Sequence, residues 1–376
     1  MAMPDATRLQ DAIVPITGRR LILPDGPIFH LQRADQADYE IGAFRQWAGY
    51  KNLGSDEASG DLAHFQHVVS FAGTKTAGRT GVHVHLAHVH IVIPTSGRGV
   101  FSYDGVVTEA VPGAVIVQHG GTVHDQFEYS YAPASHEDTR RTAQSIEPTP
   151  AGAEPSSFGF LELFVPRIIA DVEIIAPGAV TQADQRTAWD HPYRLAGARF
   201  SLQPAEAPGA AYRPVATRDD LEARDADTWA PTGGLVATWI IRPSLKAGSA
   251  NVPISLGIPG EAGGIDILYM AGGSARLVRN DGEAVTLRAG DTLTCGQGMV
   301  GDPVDCSPDM RLLRFFIASK VQALRERTPD EIKRLEDLGA RIISRREVRP
   351  ENDTRPVNFL QEEGEAPPTA SLVKAS

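Results

Sequence analysis

Three turn signals in this chain return at one fixed offset. Asp104-Gly105 recurs as Asp281-Gly282, Gly113 as Gly290, and Gly121 as Gly298, each 177 positions on. Glycine takes positive φ at no steric cost, so these points are where short strands turn. The runs between them match as well: Gly99 to Tyr103 against Ala275 to Arg279, and Ala114 to Gln118 against Thr292 to Gly296. Val68-Val69-Ser70-Phe71 and His90 to Pro94 are further β-rich runs. Many short strands punctuated by turns predict a barrel or sandwich, and the repeat predicts two of them.

The expected organisation is an N-terminal barrel with a covering arm over residues 1–180, a linker over 181–232, a second barrel over 233–320, and a C-terminal helix and tail over 321–376. Residues 133–157 form a polar insertion that, beside a barrel mouth, can act as a lid. Thr328-Pro329-Asp330-Glu331 is a capping box with proline at the first helical position. Ile332, Leu335, Leu338 and Ile342 follow at helical spacing, predicting a helix over about 329–343.

The repeat is unequal in chemistry. Six of the chain's 11 histidines fall between residues 83 and 124. On a strand, residues two apart face the same way, so His83 and His85 point together into the first barrel. His90 and His124 are placed on neighbouring strands to complete a metal site, since imidazole is the commonest protein ligand. The second barrel has no histidine; the positions matching the four ligands hold Pro259, Glu261, Asp266 and Gly301. It is expected to bind no metal there.

These residues resemble the cupin superfamily. Its first motif runs His-x-His, a short spacer, Glu, six residues, Gly. Here His83-Val84-His85 is followed by His90 and, after six residues, by Gly97. Its second motif is represented by Gly113, Gly121 and His124, with His119 where the family has proline. The resemblance implies two tandem cupin (double-stranded β-helix, or jelly-roll) barrels, all-β apart from the short C-terminal helix. It covers residues 64 to 130 closely and 234 to 318 through the repeat. The departure at His90, where the family has Glu, resembles the gentisate- and salicylate-type ring-cleaving dioxygenases, whose histidine site precedes a degenerate barrel.

A divalent ion held only by neutral imidazoles would keep its full charge and attract a small, chelating anion. The expected function is therefore an Fe(II) dioxygenase acting with O2 on an aromatic or dicarbonyl acid. Zn, Ni or Mn would instead support a non-redox isomerase or lyase. A binding protein without turnover is the third reading. Gln118 and Gln126 flank the His124 strand and, with Arg98 and Tyr103, are the candidate substrate-contacting residues. The net charge of −11 argues against nucleic acid and anionic membranes as partners. No run of 18 apolar residues, no secretory signal and only Cys295 and Cys306 point to a cytoplasmic protein, expected as a homo-oligomer.

Overall fold

The structure is a computed structural model. It describes residues 27–41, 48–70, 83–85, 87–103, 106–130, 158–166, 170–174, 200–205, 211–244, 252–258, 260–320, 330, 333 and 340–344. In chain order the elements are β1 (Phe29–Gln32), β2 (Glu40–Ile41), β3 (Ala48–Asn52), α1 (Ser55–Ser59), β4 (His64–Ser70), β5 (His83–His85), β6 (Val89–Ser96), β7 (Arg98–Tyr103), β8 (Val106–Ala110), β9 (Val115–His119), β10 (His124–Ser130), β11 (Gly159–Val165) and β12 (Ala170–Ile174). They continue as β13 (Phe200–Gln203), β14 (Arg213–Val215), β15 (Arg218–Asp225), β16 (Val236–Pro243), β17 (Ile265–Gly272), β18 (Ser274–Val278), β19 (Ala284–Arg288), β20 (Thr292–Gly296), β21 (Arg311–Ile317) and β22 (Ala340–Ser344).

These strands make the two tandem jelly-roll barrels that the repeat predicts. The first pairs a seven-stranded sheet, β13-β9-β6-β11-β4-β3-β2, with a six-stranded sheet, β22-β12-β5-β10-β7-β8. The second uses a seven-stranded sheet, β1-β20-β17-β21-β16-β15-β14, faced by the β18-β19 hairpin. The repeated glycines turn alike: φ is 89° at Gly113 and 85° at Gly290, and 84° at Gly121 and 71° at Gly298. The Asp104-Gly105 turn lies outside the described residues, but β7 and β8 on either side of it pair as a hairpin.

Alternation along the strands sorts the side chains into two cores. On β6, Val89, Ile91 and Ile93 face outward; on β11, Leu161, Leu163 and Val165 do the same. They join Ile265, Ile267, Tyr269, Leu313 and Phe315 of the second barrel in one buried cluster between the two large sheets. The Phe65 ring sits 5.6 Å from Tyr269 and 5.1 Å from Phe315 across this seam. The intervening residues of β6 and β11 point the other way, into the first barrel. Burial on both faces explains why these strands read as near-continuous apolar runs.

The chain crosses between barrels more than the sequence suggested. β1 pairs with β20, so the first strand of the expected covering arm sits in the second barrel's sheet. The stretch expected as linker contributes β13 to the first barrel, against β9, and β14 and β15 to the second. The helix expected to reach residue 343 does not: Asp330 and Lys333 are helical, but β22 begins at Ala340 and pairs with β12. Its β-branched Ile342-Ile343 pair suits a strand, and a free sheet edge outweighs local helical spacing. Residues 133–157, the expected lid, lie outside the described residues. No helix among the described residues is long and apolar enough to cross a membrane.

Candidate metal centre

Three strands of the first barrel bring the four predicted histidines together. His83 and His85 lie on β5, His90 on β6 and His124 on β10, directly across from His83. All four are buried, at 2–5% exposure. Ring centroids are 4.1 Å apart for His83 and His124, 4.5 Å for His85 and His124, and 4.5 Å for His85 and His90. Each of His83, His85 and His124 offers a nitrogen within 4.8 Å of the other two.

The protonation state follows from one contact. His124 Nδ1 lies 2.9 Å from the Thr122 carbonyl, which can only accept, so Nδ1 carries the proton. Burial, then the neighbouring His83 and His85, hold the His124 pKa well below the usual imidazole value. The ring is therefore neutral, with its Nε2 lone pair directed at His85 Nε2, 3.0 Å away. Two imidazole nitrogens at this distance can share a proton or jointly hold a cation, and a hydrogen bond of this kind to an outer carbonyl is what orients a metal-binding histidine.

Sequence reasoning missed a fifth residue, and it changes the charge of the site. Glu162, inward on β11, places Oε1 at 3.1 Å from His90 Nε2. Glu162, His85 and His90 form a second group whose ligand atoms lie within 4.8 Å of one another. An ion here would not be held by imidazoles alone. The other carboxylate oxygen accepts a short hydrogen bond from Gln66 Nε2, and Gln66 Oε1 is 3.0 Å from His64 Nε2. The signal was present: Phe158-Gly-Phe-Leu-Glu-Leu-Phe-Val165 is an apolar run with one glutamate in it. A carboxylate buried among imidazoles is costly by itself and is balanced by a divalent cation. The donor set of nitrogen and oxygen fits that group.

Of the other predicted residues, Gln118 on β9 reaches His90 Nδ1 at 2.7 Å and is 2% exposed. Phe164 stacks on the His90 ring, with centroids 4.1 Å apart and planes 12° from parallel. Tyr103 stands across from His124 on β7, its ring stacked at 5.8 Å. Gln126 and Arg98 are placed only by backbone, Gln126 opposite Phe101 and Arg98 opposite Ser130; their side chains lie outside the described residues. His88 falls in the turn before β6, half-buried, and His119 ends β9.

In the second barrel, Asp266 is buried and takes both oxygens to Arg314, at 2.9 and 3.0 Å. Glu261 lies 3.7 Å from Lys320. Pro259 is outside the described residues.

No family model and no curated protein matches the chain. Several solved structures are similar to the chain at low identity. The protein Ylba from Escherichia coli is 12% identical, with a TM-score of 0.43, over 80% of this chain and 95% of that one. A bacterial pirin from Escherichia coli in complex with nickel(II) is 10% identical, with a TM-score of 0.41, over 77% and 99%. An oxalate decarboxylase variant from Bacillus subtilis is 11% identical, with a TM-score of 0.41, over 84% of each chain.

Proposed function

We propose that this chain is a metal-dependent enzyme of the cupin type, with one divalent ion held in its first barrel by His83, His85 and His124, joined by His90 and Glu162. The observation that carries this reading is the convergence of two buried donor groups on His85. Gln118 fixes the His90 ring, Thr122 fixes His124, and Gln66 fixes Glu162. With one carboxylate in the set, a divalent ion retains a net positive charge, so a small chelating anion remains the favoured substrate class.

The first pairing to test is Fe(II) with O2 acting on an aromatic or dicarbonyl acid. Bound iron would supply electron density from the chelated anion to dioxygen. The chain's own part is to exclude water and to hold the five donors in fixed orientation. A second reading, a non-redox isomerase or lyase with Zn, Ni or Mn, gains from Glu162. That reaction class needs a general base beside the ion, and Glu162 would serve as one where the histidines alone hold the ion. The cytoplasm and a homo-oligomeric assembly complete the proposal.

Elemental analysis of untagged protein purified without added metal tests it. Stoichiometric iron, with oxygen uptake on hydroxybenzoates or β-dicarbonyls, supports the dioxygenase. Stoichiometric zinc, nickel or manganese that Fe(II) does not replace with gain of oxygen uptake supports the second reading. His83→Ala and His124→Ala should each lose most of the metal and His191→Ala should not. Absence of metal even after reconstitution overturns the proposal.

A further inference from the structure

Among the described residues, Tyr103 places a buried hydroxyl beside the centre with no hydrogen-bond partner. Its side chain is 0% exposed, and its hydroxyl is buried with no hydrogen-bond partner among the described residues. Buried hydroxyls are almost always bonded, because leaving one unmade costs about 1–3 kcal/mol. The ring has no freedom to seek a partner elsewhere. It stacks on His124 at 5.8 Å, on Phe101 at 5.6 Å and on Phe200 at 5.1 Å, with planes 12° to 26° from parallel. A residue fixed by three rings, directly across β7–β10 from a ligand, holds its hydroxyl in one place.

The surroundings are otherwise apolar. Tyr103 belongs to the cluster of Val68, Val92, Phe101, Ile116, Phe158 and Phe160 that fills the barrel beyond the histidines. A phenol keeps its proton at neutral pH, so the hydroxyl is available to donate.

We propose that Tyr103 is the substrate-binding residue of this centre, its hydroxyl donating a hydrogen bond to an anionic atom of whatever small ligand occupies the ion's open position. This rests on the metal reading above and deepens it. It narrows the substrate class to anions that present a hydrogen-bond acceptor on the β7 side while bound to the ion. A neutral or acceptor-poor ligand would leave the hydroxyl unsatisfied.

The test compares wild type with Tyr103→Phe, which removes one oxygen and keeps the ring. Both proteins are loaded with Co(II), metal is quantified, and azide is titrated against the visible Co(II) spectrum. Tyr103→Phe should bind Co(II) with wild-type stoichiometry and bind azide about tenfold or more weakly, the expected scale for a hydrogen bond to a charged group. The apoprotein should unfold at the same or a higher temperature, because the removed hydroxyl has no partner among the described residues. Equal azide affinity, no azide binding by Co(II)-loaded wild type, or a marked loss of apoprotein stability would each overturn the inference. Failure of wild type to take up Co(II) would instead overturn the metal reading.

Discussion

Glu162 in the first barrel and Arg314 in the second hold the same place in their sheets. Glu162 stands opposite Val92, two residues along β6 from His90; Arg314 stands opposite Leu268, two residues along β17 from Asp266. Gln118 lies opposite His90 as Cys295 lies opposite Asp266. One barrel thus sets a carboxylate beside an imidazole, and the other a guanidinium fork on a carboxylate. The two exchanges, His90 for Asp266 and Glu162 for Arg314, turn a place suited to a cation into a closed ion pair.

Arg314→Met tests that closure. It leaves Asp266, at 1% exposure, without its partner. Breaking a buried pair on one side costs about 3–5 kcal/mol, whereas replacing both partners by apolar groups is often near neutral. Urea unfolding should show a large loss for Arg314→Met and recovery of most of it in Asp266→Leu/Arg314→Met. No recovery in the double variant would mean that the ion pair is not the source of the loss.

Glu162→Gln keeps the shape of the side chain and removes its charge. Metal affinity, measured by competition with a chelator, should fall by about ten- to a hundredfold, the scale seen when metal-site geometry is disturbed. Gln66→Ala should shift affinity in the same direction by less, because it acts only through Glu162. Unchanged affinity in Glu162→Gln would remove the carboxylate from the site.

Acid should destabilise the metal-free protein. Burial, aided by Lys51, lowers the His67 pKa to about 3, and His124 is lowered as well. Between the ordinary value of 6.5 and about 3, the unfolded chain binds a proton at His67 that the folded chain refuses. Stability therefore falls as pH drops through that window. Thermal midpoints recorded from pH 7 to pH 4 should decline, and less steeply in His67→Gln. An identical slope in the variant would contradict the assignment.

Much of the fold was legible because its markers are local. Gly113, Gly121, Gly290 and Gly298 announce positive φ wherever they stand, and His83-Val84-His85 declares a shared face by parity alone. Glu162 was marked only as the one acid in an apolar run, since its meaning depends on Gln66 and His90, which only sheet pairing brings beside it. β22 failed for the opposite reason. Its sequence fits a helix when read alone, and the edge of β12 decides otherwise. β13, β14 and β15 hid in a polar stretch because edge and near-edge strands bury only part of their side chains.

The crossed ends of the chain govern when the centre can exist. β5, which carries His83 and His85, is bonded to β12, and β12 to β22 at residues 340–344. β1, made first, waits for β20. Non-local pairings of this kind come late in folding. A nascent chain will thus hold its first barrel open at one sheet edge until residues 340–344 have emerged. A product that stops at residue 339 should take up a divalent ion slowly or lose it on dialysis.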